Sequence, residues 1–240
     1  MPTAHAPAAE RLESRRMFSV GLIGHVLAVR GNPHEPNTIT VGLAAGGQSI
    51  TATLTYPGKS GTVTQTGTYP VGKVKSLQIV GGNSNDVIDI TQAFGTFAVP
   101  TQIHTRNGDD SVTTGDEPDK IICGAGFDTV AAGNGNDTIY AGHAPDTLTA
   151  GNGNDVFHGG PGHDDITAGN GADVFVDPYG YDTLTAGSGH DTFIVRNIKL
   201  DPVTTYDPAK DKLRKYVPPS SGGGSSSNSS LVGDILGALL

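Results

Sequence analysis

The sequence predicts an all-β protein: a parallel β-roll with two nine-residue units per coil, preceded by a β-rich N-terminal cap. Three observations carry this. Asp110, Asp119, Asp128, Asp137, Asp146, Asp155, Asp164, Asp173, Asp182 and Asp191 recur every nine residues. Two places after each stands an apolar residue: Val112, Ile121, Val130, Ile139, Leu148, Phe157, Ile166, Phe175, Leu184 and Phe193. Between these pairs the chain is dominated by Gly, Asn and Asp, the residues of turns. Self-similarity at a short fixed period means stacked units, each of which buries its apolar side only against its neighbours.

Written as units starting at Thr105 and ending at Ile194, the second position is Gly in eight of ten units, and so is the fourth. Gly takes positive φ without steric cost, and Asn tolerates it. The last three positions carry Thr, Val, Ile, Phe and Leu, which suit a short strand. Side chains alternate faces along a strand, so the apolar residue points inward. Its neighbours Thr129, Thr138, Thr147, Thr149, Thr167, Thr183, Thr185 and Thr192 point out. A six-residue turn and a three-residue strand make half a coil.

The aspartates then fall into two files. Asp110, Asp128, Asp146, Asp164 and Asp182 form one, and Asp119, Asp137, Asp155, Asp173 and Asp191 the other. Neighbours within a file are about 4.8 Å apart, the spacing of paired strands. Ionised carboxylates that close repel by about 4 kcal/mol at an effective dielectric of about 20. Residues 105–194 hold 15 acidic side chains against two basic ones, a net of −13. Hard oxygen ligands in a flexible turn point to Ca2+ between the turns, and magnesium fits less well because it demands small octahedral sites and keeps its water. One inward apolar residue per nine is little to set against the cost of ordering the backbone, so the roll is expected to fold only when calcium binds.

These units resemble the glycine-rich nonapeptide repeat of RTX (haemolysin-type) calcium-binding proteins, G-G-x-G-x-D-x-U-x. AGNGNDTIY and AGNGNDVFH differ from it only by Ala at the first position. The resemblance covers 90 of 240 residues. It implies calcium ions between same-side turns, held by the ten aspartates above and by backbone carbonyls of Gly124, Gly126, Gly133, Gly135, Gly151, Gly153, Gly160, Gly162, Gly169 and Gly171. Departures stand at Arg106, at Glu117 and Pro118, at Ala144 and Pro145, and at Asp177 and Pro178. Those turns are expected to bind calcium weakly or not at all. Asp109, Asp165 and Asp177 read as extra acids that tune charge. An upstream unit at Gly81–Asp89 fits loosely, but Asp86 lies 24 residues before Asp110, out of phase, and reads as a separate turn or a cap.

Around the roll the chain divides into a targeting or disordered segment (1–24), a β-rich cap region (25–104), a flank (195–217), and a flexible linker with an apolar tail (218–240). Strands are expected at His25–Arg30, Thr38–Val41, Ser49–Tyr56, Thr62–Thr66, Ser76–Val80 and Val87–Ile90. Ile50, Ala52 and Leu54 alternate as in a half-buried strand, and Gly46-Gly47 mark a hairpin turn before them. The cap would cover the apolar cross-section and open strand edges of the roll. Near the start, Met17–Val29 resembles a signal-peptide core behind Arg11, Arg15 and Arg16. RLESRRMFSV also resembles the L-E-P-R-x-L-L-S motif of large extracellular planctomycete proteins, with Ser14 in place of Pro. PPSSGGGSSSNSS (218–230) reads as a linker. In the tail, Leu231, Val232, Ile235, Leu236, Leu239 and Leu240 share one helical face, either to dock on the roll's open end or to serve as the uncleaved export segment of many RTX proteins.

Other functions are disfavoured. No stretch is long and apolar enough to span a bilayer as a helix. The acidic block argues against nucleic-acid partners. His34-Glu35 lacks the second His of H-E-x-x-H, and G-x-S-x-G is absent. His143, His158, His163 and His190 occupy varying positions in the unit, so they do not make a transition-metal site. Cys123, the lone cysteine, reads as a packed small residue. The expectation is a secreted, non-enzymatic calcium-binding repeat protein with a structural or surface role. The alternatives are an adhesin or polysaccharide-binding module meeting cell-surface material through Tyr140, Tyr179 and Tyr181, or an accessory region of a secreted enzyme.

Overall fold

A computed structural model describes residues 19–92, 95, 98–177, 179–196 and 203–216. The N-terminal R-L-E-S-R-R stretch and the linker and apolar tail at 218–240 lie outside them.

The expected strands form, with ends that differ by a few residues: Val26–Arg30, Thr38–Leu43, Ser49–Gly58, Gly61–Pro70, Ser76–Val80 and Val87–Thr91. Two further strands precede the periodic ones or overlap their start, Ser19–Ile23 and Thr101–Asn107. Among the described residues there is one short helical turn, the 3-10 turn Val71–Lys73, and no helix long and apolar enough to cross a membrane.

The strands build two ten-stranded sheets that face each other across one core. Along the repeats every pairing is parallel, with an offset of 18 residues. Lys120 pairs with Thr138, Thr138 with Val156, and Val156 with Val174 in one sheet. Thr129 pairs with Thr147, and Thr147 with Asp165, in the other. Two nonapeptides therefore make one coil. The same sheets continue upstream, where Ser76–Val80 pairs in parallel with both Val26–Arg30 and Thr101–Asn107. They also continue downstream, where Thr192–Val195 pairs in parallel with Lys212–Lys215.

At the N-terminal end the pattern changes. Ser19–Ile23 turns back antiparallel on Val26–Arg30, and Ser49–Gly58 with Gly61–Pro70 forms an antiparallel hairpin beside Thr38–Leu43. Gly46 and Gly47 take positive φ in the turn that leads into it. Antiparallel strands need only such tight connections, which lets the chain close the end of a parallel stack. At the other end the last strand, Lys212–Lys215, is exposed throughout and carries Lys212, Arg214 and Lys215, charges that discourage pairing with a further strand.

The core differs from the sequence expectation in one respect. The inward apolar residue of every unit is buried, but so is the residue two places on. Cys123, Ala132, Ala141, Ala150, Ala168 and Ala186 face inward beside Ile121, Val130, Ile139, Leu148, Ile166 and Leu184. Alternation carries both sides of the strand's centre into the core, so each unit contributes two inward groups, one large and one small. The Asp completes the set from the other side, so positions six, eight and one of the frame all point in.

Candidate metal centre

Each repeat aspartate is held by the backbone of the coil before it. The amide N–H of Asp110 donates to Asp128 Oδ1 at 2.9 Å, and those of Asp128 and Asp146 donate to Asp146 and Asp164 at 2.8 and 3.0 Å. Asp164 N–H donates to Asp182 Oδ1 at 2.9 Å, which completes the first file. In the second file Asp119, Asp137, Asp155 and Asp173 donate to Asp137, Asp155, Asp173 and Asp191 at 2.8–2.9 Å. The structure thus brings all ten predicted aspartates into two continuous columns. All ten are buried.

Only one oxygen of each carboxylate is used in this way. Oδ2 of Asp110, Asp119, Asp128, Asp137, Asp146, Asp155, Asp164 and Asp173 has no hydrogen-bond partner and is shut off from solvent. Burial raises these carboxyls above their ordinary range. It takes Asp119 and Asp128 to about 6, and Asp110, Asp146, Asp164 and Asp173 to about 7. Asp137, with the carboxylates of Asp119 and Asp155 adding to the effect of burial, reaches about 8. Asp155 and Asp191 move up for the same first reason.

The ends of the columns are different, and the difference is informative. Asp86 continues the first file, since its N–H donates to Asp110 Oδ1 at 2.7 Å. The nine-residue frame put it out of phase. The longer connection between Val87–Thr91 and Thr101–Asn107 absorbs the extra residues, and Val87 pairs with Ser111 in register. Both oxygens of Asp86 have protein donors: Oδ1 accepts from the N–H and Nδ2 of Asn37 at 2.8 and 2.7 Å, and Oδ2 from Gly82 N–H at 2.5 Å. Asp211 ends the second file in the same fashion, accepting from Asp191 N–H at 3.0 Å and Asp207 N–H at 2.6 Å. Thr101 begins that file by donating its N–H to Asp119 Oδ1 at 2.8 Å. Sequence reasoning missed Asn37, Thr101 and Asp211. A signal for Asp211 was present, because Leu213 stands two places after it as in every repeat.

The predicted glycines line the turns on the two sides. Gly124, Gly126, Gly160 and Gly162 belong with the Asp110 column, and Gly133, Gly135, Gly151, Gly153, Gly169 and Gly171 with the Asp119 column. At the second position of the odd units the coils approach so closely that a Cβ on Gly142 would sit 2.0 Å from Gly124 O. Gly124, Gly142 and Gly160 have φ of 134°, 123° and 103° there, and Arg106 keeps that conformation at φ 89° despite its side chain. Ala144, which replaces the Gly of the fourth position, also takes positive φ, at 82°. A ladder of side chains braces the even-numbered turns. Asn152 Nδ2 donates to Asn134 Oδ1 and Asn170 Nδ2 to Asn152 Oδ1, each at 2.7 Å.

The donor set fits a hard cation. It is oxygen throughout, it repeats, and it leaves buried carboxylate oxygens without any protein partner. Buried charge without compensation is strongly unfavourable, so these oxygens require either protons or cations. Calcium would be held by the two aspartate columns with turn carbonyls, and its charge would satisfy what the fold leaves unsatisfied.

Of the remaining candidates, Cys123 is buried in the core, which raises its thiol well above the ordinary range. His158 stacks on Tyr140 at 4.4 Å and His163 on Tyr181 at 5.3 Å, each across one coil step.

Comparison with known proteins agrees with this geometry. Residues 122–143, 144–175 and 179–195 match the RTX calcium-binding nonapeptide repeat. No curated protein and no solved structure matches the chain. With the periodic sequence, the parallel two-unit coil and the buried oxygen columns in place, the repeat block is an RTX calcium-binding block and the chain a calcium-binding repeat protein.

Proposed function

We propose that this is an extracellular protein whose roll takes up calcium cooperatively and folds as it does so, giving a structural or surface element without catalysis. The carrying observation is the row of buried Oδ2 atoms with no partner, set against column ends where the protein supplies every donor itself. A fold that intended its aspartates to stay protonated or hydrogen-bonded would have continued the Asn37 device through the repeats. Extracellular calcium modules bind at about 10⁻⁴–10⁻³ M, a range suited to uptake after export. Isothermal titration of the full chain with calcium tests the reading. Several equivalents should bind with a large heat of folding, and absence of uptake at millimolar calcium would remove it. Detection of the protein in the medium rather than in the cell tests the location.

A second reading, an adhesin or polysaccharide-binding module, has one observation behind it. Tyr140, Tyr179 and Tyr181 are exposed on the roll, and Tyr140 and Tyr181 are stacked rather than free to turn. Retardation of the calcium-loaded protein in polysaccharide-containing gels, lost on Tyr181→Ala, would support it.

A further inference from the structure

One turn of the roll has a third buried carboxylate. Carboxylate oxygens of Asp164, Asp177 and Asp182 all lie within 4.8 Å of one another, and all three residues are buried. Asp164 and Asp182 are successive members of one column. Asp177 comes from the first position of its unit, where the other late units carry Ala168 and Ala186. It is fully enclosed, and its Oδ1 accepts from Gly160 N–H at 3.3 Å.

The coil beneath makes room for it. His158 pairs with Val176, so the residues one further on, Gly159 and Asp177, stand over one another. Gly159 is the one glycine at the first position of any unit. A Cβ there would collide with Asp177 Oδ2 and lie 2.6 Å from Asp164 Oδ2. Two departures from the repeat, Gly for Ala and Asp for Ala, thus compensate each other 18 residues apart. Asp164 Oδ2 is aimed into this space, shut off from solvent and without a partner.

We propose that Asp164, Asp177 and Asp182 form a three-carboxylate cation site that binds calcium more tightly than the two-carboxylate gaps elsewhere in the roll. The inference rests on the calcium reading of the repeats and reverses the sequence expectation that the turn around Asp177 binds weakly. Added ligand charge is what separates tight from weak calcium sites. The same charge makes this gap the preferred place for a trivalent ion of similar size. The first ion taken up then staples the C-terminal coils, whose turn also carries Tyr179 and Tyr181.

Terbium(III) alone is the probe, because tyrosine excitation sensitises its emission over short distances and the chain contains no Trp. The full-length protein, Asp177→Asn, Asp177→Ala and Asp165→Asn are titrated side by side, with circular dichroism at saturating calcium as the check on folding. The Ala variant places the residue of neighbouring units opposite Gly159 and is expected to fold. Wild type and Asp165→Asn should show tyrosine-sensitised emission at the lowest terbium concentrations. Both Asp177 variants should require about tenfold more, as loss of one charged ligand implies, while keeping the weaker calcium equivalents. In chelator at acidic pH, where protonated carboxyls keep the metal-free roll folded, Asp177→Ala should be no less stable than wild type, which a purely structural role for Asp177 would not give. Superimposable terbium curves for wild type and both Asp177 variants would overturn the proposal and leave the calcium reading intact. Failure of every protein to bind either ion would instead remove the calcium reading itself.

Discussion

Asp155 and Asp165 carry the same side chain and occupy opposite sides of the roll wall. Asp155 is buried, accepts Asp137 N–H through Oδ1 and leaves Oδ2 unpartnered, whereas Asp165 is exposed on its strand. Asp155→Ala should therefore weaken calcium uptake at its gaps by about tenfold or more, and Asp165→Ala should leave it nearly unchanged. Equal effects in calorimetric titration would contradict the ligand register. A second residue-scale expectation concerns Ala144. Its φ of 82° lies in the left-handed region, where a non-glycine residue is strained by about 1–2 kcal/mol. Glycine loses somewhat more freedom on folding, by about 0.4–1 kcal/mol. Ala144→Gly should thus stabilise the calcium-loaded protein by about 0.5–1 kcal/mol in a denaturant titration. The two aspartate columns were legible in the sequence because all ten members keep the phase. Thr101 was not, because it enters its column through a backbone N–H, which no side-chain pattern encodes, and Asn37 was not, because it lies 49 residues before Asp86 and outside the repeat.

At the scale of the coil, the inner ladder decides how far one unit depends on the next. Phe157, Phe175 and Phe193 stack in register, with ring centroids 5.2 and 4.7 Å apart. Phe175 touches a ring on each side and is fully enclosed, so Phe175→Ala should cost about 3–5 kcal/mol in calcium. Hydrogen exchange should show the loss spreading first through the neighbouring C-terminal coils, because repeat folds are held by nearest-neighbour contacts. The strand pattern made these elements readable in advance, and Ser49–Gly58 with its alternating burial shows why. Two things were hidden at this scale. The small residues at the first position look like turn filler in sequence, yet strand alternation carries them into the core. The 18-residue coil predicts that Gly159 stands over Asp177, but that the two departures from the repeat fit each other in size appears only from the side-chain packing.

Over the whole molecule, the two columns govern how stability depends on pH and on metal. Without cations, burial lifts the column carboxyls from 3.8 to about 6–8, so the folded state holds more protons than the unfolded chain in that range. Stability of the metal-free roll is then fully present below the ordinary carboxylate pKa and is lost as pH rises through about 6–8. Calcium competes with those protons, so apparent calcium affinity should increase over the same interval as pH rises. Thermal melts in chelator should therefore fall as pH rises across this range, whereas those in saturating calcium should stay nearly level, because neither the calcium-loaded nor the unfolded carboxylates then bind protons. The antiparallel hairpin at the N-terminal end and the charged strand Lys212–Lys215 at the other confine the stack, and Asp86 and Asp211 close its columns with protein donors. Between those closures the repeats supply 15 acidic side chains and only two basic ones, Arg106 and Lys120. The most direct test is the far-ultraviolet circular dichroism of the full chain at slightly alkaline pH, first in chelator and then through a calcium titration. The strand signal should be weak in chelator, rise cooperatively with calcium and vanish again on chelation. A strand signal of equal strength in chelator and in calcium would contradict the account.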